Sequence, residues 1–148
     1  MTHSEKLRSL QRQLDRKSIR YFKAKEFFAK GGANSNPRSR GYRKNTDPPD
    51  RLIHDIVPCA IVLDRIREDY GSAIVINSCY RSPAYNRAIG GASQSYHMKF
   101  VACDITGYSI SRLHRIAKDL RNQGMFLGGI GRYNSFVHVD TRGYNATW

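Results

Sequence analysis

Acidic residues are scarce in this chain of 148 residues: 12 Asp and Glu stand against 25 Lys and Arg, a formal charge of +13. Cysteine is sparse too. Cys59, Cys79 and Cys103 show no C-x-x-C spacing, and an odd count argues against a disulfide framework. No apolar run approaches the roughly 18 residues of a membrane-spanning helix. The opening MTHSEKLRSLQRQLDRK has no apolar block behind its charges, so no secretory signal is expected. Internal repeats and low-complexity tracts are missing as well. The length suits one domain with a core of its own, and the thiols suit a reducing cytosol.

The positive charge is unevenly placed. Residues 1–45 hold 13 Lys and Arg against 3 Asp and Glu, whereas residues 46–148 hold 12 against 9. Two parts are therefore expected within one globular unit: a basic N-terminal arm over 1–45, packing on or preceding the body, and a nearly neutral body over 46–148. In the arm, Leu7, Leu10 and Leu14 recur at spacings of three and four, which predicts a short amphipathic helix flanked by Arg8, Arg12, Arg16 and Lys17. A second helical piece is expected over Lys25–Lys30, with Phe27 and Phe28 as anchors. The stretch GGANSNPRSRGYRKNTDPP reads as a long loop.

In the body, Leu52, Ile53, Ile56, Val57, Ala60, Leu63 and Ile66 form one helical stripe ending near Tyr70-Gly71, which Pro58 should kink or split. Ala73–Ile76 reads as a buried strand and Val101–Ile105 as another. Residues 77–100 are polar, with a short helix near Pro83–Ile89. A helix is expected over Ser109–Asn122, then strands at Gly129–Tyr133 and Phe136–Asp140 around a turn at Asn134-Ser135. Helices packed on a small antiparallel sheet make an α+β domain.

Strand alternation singles out candidate ligands. In Phe136-Val137-His138-Val139-Asp140 the valines face a core, which leaves His138 and Asp140 on a face that can line a cleft. In Val101–Ile105, Asp104 points away from Val101, Cys103 and Ile105; a carboxylate in so apolar a strand needs a partner or a metal. His97 stands seven residues before it. Two imidazoles and a carboxylate form a zinc set with one position left open, though a His–Asp pair also serves as a structural hydrogen bond. His3, His54 and His114 read as non-ligands.

The flanking motifs, in order, are Ser78-Cys79-Tyr80-Arg81-Ser82, Gly90-Gly91-Ala92-Ser93-Gln94-Ser95-Tyr96-His97, Ala102-Cys103-Asp104, Gly128-Gly129-Ile130-Gly131-Arg132-Tyr133 and Phe136-Val137-His138-Val139-Asp140. Together they resemble the zinc D-Ala-D-Ala carboxypeptidase family of peptidoglycan metallopeptidases, whose pattern runs S-G-Y-R-S, G-G-A-x-x-S-x-H, H-x-x-G-x-A-x-D, G-G-I-G-x-Y and F-V-H-V-D. The resemblance covers roughly residues 20–148, with Phe22–Phe27 similar to the family's opening segment and Trp148 to its closing Trp. It implies one zinc ion per chain held by His97, Asp104 and His138. It also implies that Arg81 grips a substrate carboxylate or steadies the oxyanion. Tyr80, Asn86 and Tyr133 are candidates to line the peptide stem, with packing or an ordinary surface place as the alternative for each.

Four positions depart from the pattern. Cys79 and Phe100 replace glycines and are expected to narrow the groove; Tyr96 stands where Gln is common. Ser135 occupies the position, three residues before the last His, where related branches carry an acidic base. Asp140 is the nearest carboxylate and the candidate base, with orientation of His138 as the alternative.

The expected function is cleavage of peptidoglycan stem or cross-link peptides, as a carboxypeptidase if Arg81 grips a free carboxylate and as an endopeptidase if the groove is open at both ends. Without a signal, the setting that fits is a monomeric phage endolysin held in the host cytoplasm until its release to the wall. Its basic arm would be drawn to anionic wall polymers or outer-membrane phosphates rather than to an obligate nucleic acid. The rival reading is an inactive peptidase-like domain that binds cell wall or nucleic acid through the arm.

Overall fold

A computed structural model describes all residues, Met1 to Trp148. Its helices are α1 (His3–Arg16), the single turn α2 (Gly32–Ser35), α3 (Val57–Tyr70), α4 (Pro83–Ala88) and α5 (Ile110–Asn122). Its strands are β1 (Val75–Ser78), β2 (Ala102–Thr106), β3 (Gly129–Arg132), β4 (Val137–Asp140) and β5 (Ala146–Thr147). The sheet order is β1-β2-β4-β3-β5; every pairing is antiparallel except that of β5 with β3. The fold is α+β, as the sequence pattern predicts.

Alternation along β2 and β4 divides the molecule. Cys103, Ile105, Val137 and Val139 enter one continuous core with Leu63 and Ile66 of α3 and Leu113 and Ala117 of α5. Asp104, His138 and Asp140 lie on the opposite sheet face, yet are also buried. The register decides which of them meet: Asp104 stands directly opposite His138, and Ala102 opposite Asp140.

The first helix joins the same core. Thr2 and Glu5 form a capping box that fixes its start, and Leu10 and Leu14 are fully buried. Ser9 Oγ lies 2.8 Å from His54 Nε2, and Lys6 donates to the Pro48 carbonyl at 2.7 Å. The expected stripe is split ahead of Pro58: Asp50–Leu52 form a separate 3-10 turn, and α3 starts at Val57 with Pro58 in its first turn, where a proline costs no helical hydrogen bond. The strand expected at Ala73–Ile76 lies at Val75–Ser78, where an irregularity after Ile76 lets Ser78 pair with Asp104. The expected helix at Lys25–Lys30 is a 3-10 turn over Ala24–Phe28. Strand β5, only two residues long, carries no periodic signal.

Phe100 corrects one expectation. Its ring is fully buried and meets Phe28 and Tyr80 edge-on, with centroids 6.1 and 6.2 Å apart, so it fills the core and does not narrow a groove. Its backbone keeps the left-handed conformation, φ 56°, that a glycine would adopt freely. Phe100→Gly should therefore relieve about 1 kcal/mol of strain while losing about 3–5 kcal/mol of aromatic burial. The expected net loss is about 2–4 kcal/mol, read from the denaturant midpoint.

Candidate metal centre

Three segments converge on one point. His97 comes from a 3-10 turn over Tyr96–Lys99, started by Ser95, whose Oγ accepts from the His97 N–H at 3.3 Å. Asp104 comes from β2 and His138 from β4. Their candidate ligand atoms all lie within 4.8 Å of one another, and the residues are only 2, 4 and 7 % exposed. Asp104 Oδ1 is 3.2 Å from both His97 Nε2 and His138 Nδ1.

The atoms behind these three set the chemistry. The outer nitrogen of His97, Nδ1, lies 2.6 Å from the Cys79 carbonyl, which can only accept, so the proton belongs on Nδ1 and the Nε2 lone pair points inward. The outer nitrogen of His138, Nε2, lies 2.7 Å from Asp140 Oδ2, which leaves Nδ1 free toward Asp104. Arg81 Nη2 donates to Asp104 Oδ2 at 3.0 Å, reserving Oδ1 for the centre. Two neutral imidazoles and one carboxylate, each oriented from behind, match a three-ligand metal site with one side open to a cleft. The residues fit a metal ion.

Without a metal, an inner nitrogen can instead carry a proton toward Asp104. Burial would raise the pKa of Asp104, yet its bonds to His138 and His97 then outweigh burial and hold the carboxyl well below its usual range. Burial would also raise Asp140; its bonds to His138, Arg142 and the Gly129 N–H win instead, and it too stays ionised. The two histidines diverge. Burial lowers His97, whereas for His138 the bonds to two carboxylates overcome burial and raise it. In the protein without metal, the first proton taken up at this centre therefore settles on His138.

A cleft of about 720 Å³ opens over the centre. One wall is the loop Ile89–Ser95; Tyr96, Tyr133, Phe136, Tyr144 and Trp148 supply much of the rest. Arg81 borders it as well, and its Nη1 makes no hydrogen bond within the protein, so it can meet a substrate oxygen. Tyr133 lines the cleft, stacked on Phe136 at 4.3 Å.

Other placements correct the sequence reading. Tyr80 is buried against Phe100 and does not border the cleft. Asn86 is buried too; its Nδ2 donates to the Ala92 carbonyl at 2.8 Å, fastening the cleft loop from beneath instead of touching substrate. The Cys79 side chain is fully buried in the core, so it does not narrow the groove; its backbone carbonyl is what reaches the site. Asp140 is not placed as a base. It is wholly inaccessible, and its oxygens face His138, the Gly129 N–H at 2.8 Å and the Arg142 guanidinium at 2.7 Å.

Sequence reasoning missed the reach of Arg142. The pairing Asp140-x-Arg142 on extended chain puts both side chains on one side of the strand, which is the signal that could have found it. Its guanidinium binds Asp140 and lies 4.1, 5.5 and 5.2 Å from the rings of Tyr96, Tyr144 and Trp148. One cation thus couples the aromatic wall to the residue that orients His138.

The glycine motif ahead of β4 has a steric reason. A Cβ on Gly129 would stand 2.5 Å from Asp140 Oδ2 and 2.6 Å from Arg142 Nη2; one on Gly131 would strike the Trp148 ring at 2.5 Å. Gly129→Ala should displace the Asp140 carboxylate and weaken metal affinity about tenfold, measured by competition with a chromophoric chelator.

Comparison with known proteins gives one match: the family described as Peptidase M15 matches residues 21–140, a span that contains His97, Asp104 and His138. No curated protein and no solved structure matches the chain.

Proposed function

The chain belongs to the Peptidase M15 family and is a metallopeptidase, and from that premise we propose that it is a zinc-dependent peptidoglycan peptidase that hydrolyses stem or cross-link peptides. The observation that carries this reading is the centre itself: three buried ligands with their lone pairs turned inward, beneath a cleft walled by aromatic rings.

His97 Nε2, Asp104 Oδ1 and His138 Nδ1 would hold the zinc. When bound, the ion supplies Lewis acidity toward water and toward the scissile carbonyl. Asp140 and the Cys79 carbonyl keep the two imidazoles in the binding tautomer. Arg81 spends Nη2 on Asp104 and presents Nη1 to the oxyanion or to a terminal carboxylate. With Asp140 enclosed and Ser135 where an acid stands in related branches, Asp104 is the only carboxylate that the chain brings to the cleft. Tyr133, Phe136 and Trp148 offer apolar faces along which a peptide stem can lie.

Within this reading we place the protein as a phage endolysin, kept in the host cytoplasm and released to the wall. Its three thiols, all free and buried, and its excess of cations suit that setting. The test is loss of turbidity of purified sacculi with and without a chelator, followed by mass spectrometry of the fragments. Lysis that stops with chelator and returns with zinc is expected, and the new termini name the bond. Chelator-insensitive lysis, or none with zinc restored, would overturn the proposal.

A further inference from the structure

Among the long stretches of this chain without an acidic residue are those between Glu26 and Asp47 and between Asp69 and Asp104. Folding lays parts of them side by side. Gly41 lies so close to α4 that a Cβ there would meet Tyr85 at 2.8 Å and Ile89 at 2.9 Å. Ser82 Oγ donates to the Lys44 carbonyl at 3.0 Å. Asn45 fastens the seam: its Nδ2 donates to the carbonyls of Lys30 and Tyr80, and its Oδ1 accepts from the Ser82 N–H at 2.9 Å.

The joint surface bears Arg38, Arg40, Arg43, Lys44 and Arg87, all exposed. None of the five has a carboxylate within ion-pair distance; among the cations of the first stretch only Lys30 does, 3.9 Å from Asp47. Elsewhere in the basic arm, Lys6 and the N-terminal amine reach Asp50 and Arg20 reaches Glu68, while Arg8, Arg12 and Arg16 of α1 and Lys17 at its end are also without an ion pair. Unpaired cations therefore lie in two groups: those of α1 share their helix with Glu5 and Asp15, whereas the loop over residues 38–44 and the end of α4 hold no acidic residue of their own.

The position of this surface matters as much as its sign. Lys44 and Arg87 flank a shallow depression with Ala84 and Ala88, and the next residues along the chain, Ile89 and Gly90, line the cleft. A polymer held there ends at the rim of the metal centre. Four of the five cations are arginines, whose planar forks fit phosphate oxygens.

We propose that Arg38, Arg40, Arg43, Lys44 and Arg87 form a docking surface for a wall-linked polymer with repeating phosphodiesters, which delivers the cleft to its substrate. The identity of the polymer rests on the peptidoglycan reading above; the anionic chemistry does not. Nucleic acid carries the same phosphates but fits less well. The surface is a loop and the end of a six-residue helix, with no long element to enter a groove. Its ring Tyr42 is half-buried with the Arg43 guanidinium over it, 4.9 Å from the centroid, so it offers no free platform for stacking bases.

The test uses the full chain in chelator, so that hydrolysis cannot disturb binding. Co-sedimentation is measured with Gram-positive sacculi that keep their phosphate polymers and with the same sacculi stripped by hydrofluoric acid. Wild type is compared with the variant R38Q/R40Q/R43Q/K44Q/R87Q. Binding of wild type to intact sacculi should fall steeply with salt, and should weaken at least about tenfold on stripping or in the variant. With zinc restored, the variant should cleave a soluble stem peptide within about twofold of wild type, since none of the five residues lines the cleft. Binding indifferent to stripping or to the substitutions would overturn the proposal. So would tighter binding to duplex DNA or to lipopolysaccharide vesicles at the same salt. Loss of peptide cleavage by both proteins would instead sink the peptidase reading and leave the docking result standing.

Discussion

Asp104→Asn should abolish metal binding and lower turnover at least about a thousandfold. Asp104 Oδ1 is the one atom shared by both histidines, 3.2 Å from each, while Oδ2 is held by Arg81 at 3.0 Å. An amide removes the only negative charge among the three ligands and can turn a donor toward a cation. The several kcal/mol that a metal contributes to the transition state would be lost with it, and each 1.4 kcal/mol is about a factor of ten. Metal content by atomic absorption and melting curves with and without zinc check this. Wild type should melt higher with zinc, because an ion that binds only the folded state stabilises it; the variant should not respond. A variant that kept its zinc and its turnover would remove His97, Asp104 and His138 as the centre.

The second large effect separates a base from a positioning residue. Asp140→Asn removes a charge that holds His138 at 2.7 Å and Arg142 at 2.7 Å in a fully buried place. Leaving Arg142 unpaired should cost about 3–5 kcal/mol of stability, and the slackened His138 should weaken metal affinity about 10- to 100-fold. At saturating zinc and a temperature where the variant stays folded, turnover should return to within about tenfold of wild type if Asp140, enclosed by Arg142, Gly129 and His138, only orients His138. A loss of about a hundredfold or more that zinc cannot rescue is what removal of a general base would give. That result would mean the carboxylate leaves Arg142 during the reaction.

The strands of the site were readable because a half-buried strand has a period of two. That alone put Val137 and Val139 on one face and His138 with Asp140 on the other, and made Asp104 conspicuous among apolar neighbours. The α5 stripe was readable for the same kind of reason at helical period. Periodicity says nothing about which strands are neighbours. The approach of Asp104 to His138 depends on β2 and β4 pairing in one register, and a slip by one residue would send one of them into the core.

Four side chains depart from expectation for one reason. Tyr80, Asn86, Cys79 and Phe100 all stand in or beside the site motifs, and nearness in sequence does not bring a side chain to the substrate. Each side chain instead turns inward. Phe100 completes an aromatic cluster, Asn86 ties down the loop of the cleft, and Cys79 offers its carbonyl to His97 while its side chain stays in the core. Asp140 was placed on the correct face of its strand but assigned chemistry that its enclosure by Arg142, Gly129 and His138 denies.

Charge followed the same division. The scarcity of acidic residues was visible in the sequence, as was its concentration before residue 46. What counts electrostatically is whether a cation has a carboxylate within reach, and that is a fact of three dimensions. Folding gives partners to Lys6 and Arg20 and buries Leu10 and Leu14 of the same segment, while it sets Arg38, Arg40, Arg43 and Lys44 beside Arg87 with none. By itself the sequence determined the long helices, the four longer strands, the three candidate ligands and the sign of the charge, because each rests on pattern within a segment. The tertiary structure alone decided which residues face the cleft, which carboxylate meets both histidines and which is enclosed behind one of them, and where cations stand without a carboxylate in reach. Those depend on which segments meet: Asn45 with Tyr80, Asp104 with His138 and Lys6 with Pro48 are 35, 34 and 42 residues apart, and a pattern within one segment does not say that it touches another.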